Sequence, residues 1–412
     1  MSRPEQIFIV GNGAREHVIG WKLAQEQHQL YFAPGNAGTA QIGQSLDINP
    51  TDVEAITGVA VDKKMDLVVV GPELPLALGL VDSLTEAKIR AFGPTQAAAR
   101  LESSKIFSAQ FNYRHNIPQP LSSIFTDYTA AQKFIDENLP PTYVIKADGL
   151  ASGKGVYLPK STEEANQILV DLMLKGVLGE AGRKIVIQER LKGKEASIMA
   201  FTDGKTVVPM VSAKDYKRLL DNDEGPNTGG MGAIAPCPYV DNALMKQIQK
   251  SILQPAVNGM REEGHPFKGV LYAGIMITDQ GPKVLEYNVR FGDPETQAVL
   301  RLLDSPLKRI FDACIDETLE PDLVSFTNNH AVCIVLAAKG YPEEARTVDE
   351  IYLPGWYNRT PIEIFRAGTN SGRVLSVTAI DPHPIVARAW ANSGAEQIKF
   401  EGKQYRSDIG RT

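Results

Sequence analysis

The chain has 412 residues, of which 43% are hydrophobic and 22% are charged, and its net charge is −6. This composition is ordinary for a globular protein of roughly two to four domains, and it excludes a strongly basic nucleic-acid-binding surface as the dominant feature. The three cysteines, Cys237, Cys314 and Cys333, are far apart and adjoin apolar stretches, so we expect buried thiols rather than zinc ligands or disulfides. The chain has no apolar run of about 18 residues, and we expect a cytoplasmic protein that does not enter a membrane.

Residues 7–100 alternate short apolar runs with helical patterns. The apolar runs end at glycine or proline and predict strands at 7–10, 30–33, 67–70 and 89–92. Helices are predicted between and after them at 14–26, 51–62, 74–86 and 95–101. This alternation is typical of a doubly wound α/β domain, in which ligands bind beyond the carboxyl ends of the strands. The turns expected at that edge are 11–13, 34–38, 71–73 and 93–95.

The first of these turns, Gly11-Asn12-Gly13, opens a helix, where backbone N–H groups and the helix dipole favour an anion. A dinucleotide-binding turn would have its third glycine at position 16, which is Glu in this chain. A carboxylate there repels a pyrophosphate, so we expect no dinucleotide. Two interpretations stay open: a site for a single phosphate, and a plain strand–helix turn in which Glu16 stabilises the helix.

The next region predicts a helix over 103–117 and then a small α/β subdomain. That subdomain has strands at 143–146, 155–158 and 184–188 and a helix at 161–175. In its glycine-rich loop, Gly149, Gly153 and Gly155 free the backbone for close approach to phosphates. Ser152 adds a hydroxyl donor, and Lys146 and Lys154 add ammonium donors. The spacing is not that of a Walker A loop, and a strand follows where a helix should begin. The pattern therefore predicts a hairpin lid over a polyphosphate, with a solvated mobile hairpin as the alternative.

Two charged segments follow. The strand at 184–188 runs into a charged turn that could bind an adenine edge through its backbone and ribose hydroxyls through Glu195, although a plain strand–turn explains it equally well. The charged run at 212–218 precedes a segment with four glycines in eight residues, 225–232. Together they predict a pair of substrate-binding loops, with a solvated charged surface as the alternative.

The rest of the chain predicts a second mixed region and a strand-rich tail. Strands are predicted at 196–202, 206–213, 269–278 and 282–290, with helices at 241–263 and 294–318. In the tail, strands are predicted at 331–337, 362–367 and 372–379, with a helix near 384–393.

The segment 283–295 is the most informative part of the chain. In an extended strand the side chains alternate between faces, so Glu286, Asn288 and Arg290 share one face. Leu285, Tyr287 and Val289 are expected on the opposite face, in the core. Neighbouring carboxylate and amide oxygens suit a hard cation such as Mg²⁺, and a guanidinium suits a carboxylate or phosphate. The alternative is an edge strand with a solvated polar face.

These residues lie in runs that resemble the glycinamide ribonucleotide synthetase family of the ATP-grasp superfamily. The runs are GNGAREH at 11–17, GPELPLALGLVD at 71–82, KADGLASGKGV at 146–156, EAS at 195–197, GPNTGGMGA at 225–233, LYAGIMI at 271–277 and EYNVRFGDPETQ at 286–297. The resemblance covers essentially the whole chain. It implies a multidomain α/β and α+β protein with an ATP-grasp fold. The implied parts are an N-terminal doubly wound α/β domain at 1–102, an ATP-grasp domain at 103–325 with a lid subdomain at about 120–190, and a C-terminal β-rich domain at 326–412.

The resemblance also implies an activity. ATP, glycine and 5-phosphoribosylamine would give glycinamide ribonucleotide, ADP and phosphate through glycyl phosphate, with Mg²⁺ or Mn²⁺ as the metal cofactor. The alternatives are another ATP-grasp carboxylate–amine ligase with a different substrate pair, and a catalytically silent nucleotide sensor. The intact Glu286, Asn288, Lys105 and Lys146 argue against the sensor. The implied partners are small molecules, without nucleic acid or membrane. We expect a monomer or weak dimer and transient contact with neighbouring purine-pathway enzymes.

Site residues follow from the resemblance by position. The implied metal ligands are Glu286 and Asn288. The implied ATP-binding residues are Lys105, Lys146, Gly149, Ser152, Gly153, Lys154 and Gly155 for the phosphates, and Gln188, Glu189, Leu191 and Glu195 for the nucleoside. Glycine and the acyl phosphate would contact Arg290, Asp293, Asp215 and Lys217. The ribosylamine and the loops around it would involve Gly11, Asn12, Gly13, Glu73, Asn227, Thr228 and Gly229.

The chain departs from the family pattern at Ala14, Ser103, Gln188, Lys214 and Tyr216, and the segment 367–373 is shorter than is typical. We expect the adenine contact at position 188 to be mostly through the backbone. We also expect the shortened segment to change the local shape without loss of chemistry.

Overall fold

The computed structural model describes residues 3–138, 140, 142–151, 155–355, 361–368 and 370–411. Its N-terminal part is built on a five-stranded parallel sheet with the order β3-β2-β1-β4-β5. The strands are β1 (Gln6–Gly11), β2 (Gln29–Pro34), β3 (Gln44–Ser45), β4 (Leu67–Val70) and β5 (Ala91–Phe92). The helices are α1 (Ala14–Ala24), α2 (Val53–Asp62), α3 (Glu73–Ala77) and α4 (Leu80–Glu86). The predicted doubly wound α/β domain is confirmed.

The strand order reverses between β1 and β4. From β1 the chain crosses to β2 on one side of the sheet, and β4 later pairs with β1 on the other side. Ligands of such sheets bind in the crevice that opens at this point beyond the carboxyl ends of the strands. The turns 11–13 and 71–73, which follow β1 and β4, therefore share one crevice.

Three predicted helices differ from those in the structure. The helix predicted at 294–318 is interrupted at 303–306, between Glu295–Leu302 and Leu307–Ile315. The helix predicted at 74–86 is split because Gly79 adopts a φ of 85°, which ends α3 and starts α4. The segment predicted to begin a helix at 103 instead divides between α5 (Gln96–Ser103) and α6 (Lys105–Arg114). Ser104 lies between them in an extended conformation, and its side chain caps α6 by accepting a hydrogen bond from the Phe107 N–H.

A small antiparallel sheet follows α6. Its strands, in the order β6-β9-β7-β8, are β6 (Ser122–Phe125), β7 (Tyr143–Ala147), β8 (Val156–Tyr157) and β9 (Ile185–Glu189). The helices of this part are α7 (Tyr128–Glu137) and α8 (Thr162–Leu169), the latter continued by a π-helical turn at Val170–Leu174. Because β7 and β8 pair directly, the glycine-rich segment between them connects the two strands of a hairpin.

The central part contains eight further strands. They are β10 (Lys194–Asp203), β11 (Val207–Pro209), β12 (Lys214–Asp215), β13 (Arg218–Leu220), β14 (Glu224–Asn227), β15 (Gly232–Ala235), β16 (Lys268–Thr278) and β17 (Gly281–Asn288). Four of them form an antiparallel sheet in the order β11-β10-β16-β17, and β13 pairs with β14. The helices are α9 (Asn242–Ile248), α10 (Gln254–Glu262), α11 (Glu295–Leu302) and α12 (Leu307–Ile315), with a π-helical stretch at Gln249–Leu253 between α9 and α10.

The C-terminal sheet combines distant parts of the chain. Its own strands are β18 (His330–Ala337), β19 (Ile362–Arg366) and β20 (Arg373–Asp381), covered by α13 (Pro384–Gln397). The full order is β12-β15-β18-β20-β19, so two strands come from residues 214–235. The glycine-rich loop before β15 is consequently tied to the C-terminal sheet. Short 3-10 turns complete the structure at Thr39–Gln41, Gly179–Gly182, Asp221–Asp223 and Pro321–Leu323.

Two further findings concern the whole described chain. Cys237, Cys314 and Cys333 are all buried as free thiols. Among the residues that the structure describes, no helix combines the length and apolar character needed to cross a membrane.

Candidate active site

Strand β17 carries the two implied metal ligands, and a bulge modifies the predicted alternation. Gly274 pairs with Glu286 but Ile275 pairs with Val284, so Leu285 is the extra residue. Tyr287 and Val289 lie in the core as predicted. The prediction for Leu285 is wrong, because this residue is only partly buried and lines the cavity beside Glu286. Its carbonyl oxygen accepts a hydrogen bond of 2.9 Å from Nζ of Lys146.

Glu286 faces a group of lysines. Burial would raise the pKa of Glu286, but the charges of Lys217, Lys146 and Lys105 hold it below its usual value. Lys146 is 7% exposed, and burial lowers its pKa to about 8 despite the opposing charge of Glu286. Burial also opposes the charge of Lys217, yet Glu195 and Glu286 raise the pKa of this lysine. Clustered lysines in a partly desolvated site are suited to bind a polyphosphate.

The pair Glu286 and Asn288 fits a hard divalent cation. Both residues present side-chain oxygens, and they occupy alternate positions of the same strand. Oδ1 of Asn288 accepts a hydrogen bond of 3.0 Å from Arg290 and has a second lone pair. Within the described ranges, no group of three or more His, Cys, Asp or Glu residues could hold a metal. A cation bound at this pair would therefore take its other ligands from substrate phosphates and water, as Mg²⁺ commonly does.

Lys105 is positioned by a residue that sequence reasoning missed. Oδ1 of Asp148 accepts hydrogen bonds from the Ser104 hydroxyl at 2.8 Å and from the Ile106 N–H at 2.9 Å. The N–H of Lys105 donates to the carbonyl oxygen of Asp148 at 3.0 Å. Asp148 directly follows β7, which carries Lys146, so both lysines are attached to the same turn. The position of Asp148 inside the run KADG, next to Lys146, was the sequence signal that could have identified it.

The described part of the glycine-rich hairpin is closely packed at two glycines. An added Cβ at Gly149 would lie 2.7 Å from the Cβ of Ala181, and one at Gly155 would lie 3.0 Å from the Cβ of Ala151. Glycine is therefore needed at position 149 for the backbone to approach its neighbour. The implied phosphate-binding residues Ser152, Gly153 and Lys154 lie outside the described residues, so the prediction of a lid stays a prediction.

The implied nucleoside-binding residues lie at the end of β9 and beyond it. Nε2 of Gln188 donates to the hydroxyl of Ser122 at 2.9 Å, and the N–H of Glu189 donates to the Leu121 carbonyl oxygen at 2.8 Å. Leu191 is partly exposed just after the strand. Their assignment to adenine stays a prediction.

Glu195 lies apart from these residues, at the cavity beside Glu286. Its Oε2 forms a salt bridge of 2.9 Å with Nζ of Lys217. The assignment of Glu195 to the ribose also stays a prediction.

Arg290 connects β17 to the N-terminal crevice. Its guanidinium lies 3.3 Å from Oε2 of Glu73 and 3.3 Å from Oε1 of Glu102, and it also donates to Asn288. Burial opposes its charge, but Glu102 and Glu73 raise the pKa of Arg290. Glu102, at the end of α5, also accepts the Val289 N–H at 2.7 Å. Sequence reasoning missed Glu102, because a single carboxylate in a helix gives no signal of a partner 188 residues away.

The turn after β1 is filled by a carboxylate. Oε2 of Glu16 accepts the Gly13 N–H at 2.6 Å, and Oε1 accepts Nε of Arg15 at 2.7 Å. An added Cβ at Gly11 or Gly13 would lie 2.7 Å from atoms of the Glu16 side chain. The Glu16 carboxylate thus fills the space beside the two glycines and takes the Gly13 N–H, and the absence of a dinucleotide stays a prediction. Nη1 of Arg15 donates to the Phe291 carbonyl oxygen at 3.2 Å and joins this turn to the segment after β17.

A buried acidic cluster lies beside Lys217. The Tyr272 hydroxyl donates to Oε1 of Glu295, and the Ser197 hydroxyl donates to the same oxygen at 2.9 Å. Oδ1 of Asp215 is buried without a hydrogen-bond partner in the described part of the chain. Burial and the neighbouring Glu295 raise the pKa of Asp215 to about 8. Such a cluster can hold a proton or a small ammonium group.

The glycine-rich loop is ordered by its own contacts. The Thr228 hydroxyl donates to the Lys217 carbonyl oxygen at 2.8 Å, and Asn227 pairs with Arg218 between β14 and β13. The N–H of Gly229 donates to the Tyr341 hydroxyl at 2.9 Å. Of the implied site residues, Glu195, Asp215, Lys217 and Glu286 line one cavity, and Arg290 is joined to Glu73 by a salt bridge.

The fold and the site together define an ATP-grasp protein. A biotin carboxylase from Campylobacter jejuni is 12% identical and has the same fold, with a TM-score of 0.74 over 98% of this chain and 94% of that chain. A phosphoribosylamine–glycine ligase structure from Thermotoga maritima is 34% identical, with a TM-score of 0.85 over 98% of this chain and 100% of that chain.

Three family models then cover nearly the whole sequence. The N domain of phosphoribosylglycinamide synthetase matches residues 5–102, its ATP-grasp (A) domain matches 103–296, and its C domain matches 331–412. The chain belongs to the phosphoribosylglycinamide synthetase family, and the predicted family is confirmed.

The relatives support the same family, and this chain spans nearly the whole length of some of them but less than half of others. The phosphoribosylamine–glycine ligase of Caldanaerobacter subterraneus is 42% identical over 98% of this chain and 99% of its own length. The human trifunctional purine biosynthetic protein adenosine-3 is 46% identical over 98% of this chain, which spans 42% of the length of that protein.

Proposed function

We propose that this chain is an ATP-dependent ligase that joins glycine to 5-phosphoribosylamine and yields glycinamide ribonucleotide, ADP and phosphate. The observation that carries the proposal is the continuous segment from Glu286 to Asp293. At one end it presents Glu286 to three lysines, with Asn288 two residues further along the same strand. At the other end, Arg290 is tied to Glu73 beside the crevice of the parallel sheet. The full-length match to ligases of that name supports this substrate pair over others.

In this proposal the nucleotide lies on the lysine side. Lys105 and Lys146 bind the phosphates together with the hairpin that includes Gly149, Ser152, Gly153, Lys154 and Gly155. Gln188, Glu189 and Leu191 bind the adenine, and Glu195 binds the ribose. Glu286 and Asn288 would hold Mg²⁺ or Mn²⁺, which when bound neutralises phosphate charge.

The acceptor substrates lie on the other side. Arg290, Asp293, Asp215 and Lys217 bind glycine and the acyl phosphate. The ribosylamine is bound by Gly11, Asn12, Gly13 and Glu73, and by the loop that contains Asn227, Thr228 and Gly229. A carboxylate oxygen of glycine attacks the γ-phosphorus of ATP and releases ADP. The ribosylamine nitrogen then attacks the acyl carbon, the acyl C–O bond breaks, and phosphate and a proton leave. Catalysis by these residues is positioning and charge stabilisation.

The proposal includes the wider organisation of the protein. We propose domains at 1–102, 103–325 and 326–412, with a lid at about 120–190, in a cytoplasmic monomer or weak dimer. The named trifunctional relatives carry this segment within a longer purine biosynthetic protein, which supports transient contact with other enzymes of that pathway.

The test is an assay of ADP formation with 5-phosphoribosylamine generated in situ. We expect ADP release that requires both glycine and the ribosylamine, and a product with the mass of glycinamide ribonucleotide. Replacing glycine with alanine or β-alanine is the matched control. ADP release at an equal rate with these amino acids, or without any amino acid, would contradict the proposal.

A further inference from the structure

Arg373 extends from the C-terminal sheet into the crevice described above. It is the first residue of β20, at the end of the shortened segment 367–373. Its Nη1 donates to the carbonyl oxygens of Gly229 at 2.7 Å and of Asp293 at 2.9 Å. Its Nη2 forms a salt bridge of 3.0 Å with Oδ2 of Asp293. One guanidinium therefore joins the glycine-rich loop to the segment that follows β17.

The contact with Gly229 requires a close approach of the backbone. An added Cβ at this position would lie 3.3 Å from Cζ of Arg373 and 3.3 Å from the Tyr341 hydroxyl. The next residue, Gly230, has a φ of +107°, and its Cβ would lie 2.9 Å from Oδ1 of Asp215. The two glycines thus let the loop pass between Arg373 on one side and Asp215 on the other. Loss of Arg373 would remove the hydrogen bond that holds this loop at the Gly229 carbonyl oxygen.

The contact with Asp293 fixes a carboxylate that faces the N-terminal turn. Oδ1 of Asp293 accepts Nε2 of Gln297 at 2.8 Å, so both carboxylate oxygens are held. An added Cβ at Gly13 would lie 3.8 Å from Oδ2, which puts this carboxylate next to the turn after β1. Burial would raise the pKa of Asp293, but Arg373 and Arg15 hold it below its usual value. Asp293 is therefore kept ionised and in one orientation.

We propose that Arg373 is a positioning residue of the ligase site, which orients Asp293 and the loop at Gly229 toward the acceptor substrates without contacting them. This inference rests on the proposed function. The planar guanidinium suits the task because it can donate several hydrogen bonds in fixed directions at once. A lysine at this position would keep the charge but could not reproduce the three-way contact. The C-terminal sheet thereby contributes a part of the site that its sequence did not indicate.

The expected effect is loss of ligation with nucleotide binding retained. Arg373→Ala should lower kcat/KM for glycine on the order of 10²-fold, because misplacement of positioning groups by about 1 Å has that effect. Arg373→Lys should have an intermediate value. Binding of an ATP analogue, measured by calorimetry, should change by less than about threefold in both variants, because the hydrogen bonds of Arg373 among the described residues go to Gly229 and Asp293 rather than to the lysines.

A double-mutant cycle distinguishes positioning from general loosening of the fold. If Arg373 acts through Asp293, its substitution should have little further effect on kcat/KM in an Asp293→Asn background. The control is Arg406→Lys. Arg406 is also buried, and it contacts Asp223 in the segment before this loop and Asp408 in the C-terminal tail. This control should lower the melting temperature and leave kcat/KM close to that of the wild type.

These experiments distinguish failure of the proposed ligase function from failure of the positioning role of Arg373. A wild-type enzyme without glycine-dependent ligation would overturn the proposed function. With an active wild type, the positioning role is overturned by wild-type kcat/KM in Arg373→Ala, by effects that multiply independently in the cycle, or by an equal loss in Arg406→Lys. If Arg373→Ala does not fold, Arg373→Lys takes its place in the cycle and the same outcomes apply.

Discussion

The two sides of the crevice differ in how fully their charged side chains are paired within the chain. On the acceptor side, Arg290 is bound to Glu73 and Glu102, and Arg373 is bound to Asp293. These charges are neutralised by partners within the chain.

On the nucleotide side, Lys105 and Lys146 face the single carboxylate of Glu286, whereas Lys217 of the acceptor side has a second carboxylate partner in Glu195. Burial lowers the pKa of Lys146 to about 8 because Glu286 compensates its charge only in part. The acceptor side is thus arranged in advance, whereas the nucleotide side is completed electrostatically by its ligand.

The largest effect should follow from removing the central carboxylate of the nucleotide side. Glu286→Gln should lower kcat on the order of 10³-fold, since it removes a metal ligand and the counter-charge of the lysines. The far-ultraviolet circular dichroism should be unchanged. The control is Glu317→Gln, which removes a surface carboxylate bound to Lys205 and Lys268. Near-normal turnover of Glu286→Gln would refute the assignment of the metal site.

On the acceptor side, a substitution should affect stability as well as activity. Arg290→Ala leaves two largely buried carboxylates, Glu73 and Glu102, without their cation, so we expect a loss of about 3–5 kcal/mol in the free energy of unfolding in urea. The glycine KM should rise much more than the ATP KM.

The control for Arg290 is Arg90→Ala. Arg90 binds Asp312 and Asp316 at the surface, and its removal should cost less than about 1 kcal/mol. Equal losses in the two variants would show that the acceptor side is not specially arranged.

A smaller effect should appear as a pH dependence of stability. His17 in α1 accepts the Arg366 N–H at Nδ1, and burial together with the charge of Arg366 lowers the pKa of His17 to about 4. An unfolded histidine has a pKa of about 6.5, so below that pH the unfolded state binds a proton that the folded state does not. Stability should therefore decrease as the pH falls from about 6.5 to 4, by up to about 3 kcal/mol.

The measurement is the free energy of unfolding in urea across this pH range. In a His17→Gln variant the free energy of unfolding should fall less steeply between pH 6.5 and 4. His383→Gln, which changes an exposed residue, should show the same pH dependence as the wild type. An identical acid limb in wild type and His17→Gln would exclude His17 as the group responsible.

The smallest effect on activity is expected at Gln188, which we propose to lie at the adenine. The Gln188 side chain donates to Ser122 rather than into the crevice, so Gln188→Ala should change the ATP KM by less than about tenfold, the range of one net hydrogen bond. Ser122→Ala should have a similar effect. A much larger increase in Gln188→Ala would show that its side chain contacts the adenine directly.

The sequence was sufficient for the fold wherever the pattern was local. The alternation of short apolar runs and helical segments predicted the parallel sheet, and the turns 11–13 and 71–73 were correctly expected at one edge. The helix predicted at 74–86 was wrong in one respect, because the left-handed conformation of Gly79 could not be distinguished from a tolerated helical glycine. The bulge at Leu285 was missed because strand alternation assumes regular pairing.

The site could be predicted only in part, because many of its contacts join residues that are far apart in the sequence. Motifs identified the residues of segments 146–156 and 286–297, but the partners of these residues come from distant positions. Glu102 and Arg373 give no local signal, and only the tertiary fold brings them to Arg290 and Asp293. Sequence patterns thus located the chemical groups, while the residues that hold those groups in place needed the structure.

The proposed reaction is tested most directly by isotopic labelling of the glycine carboxylate oxygens. If the acceptor side holds glycine so that its carboxylate attacks the γ-phosphorus, then glycine labelled with heavy oxygen in its carboxylate should transfer one labelled oxygen to the phosphate released in each turnover. Mass spectrometry of that phosphate provides the measurement. Unlabelled phosphate accompanying the formation of glycinamide ribonucleotide would contradict the account.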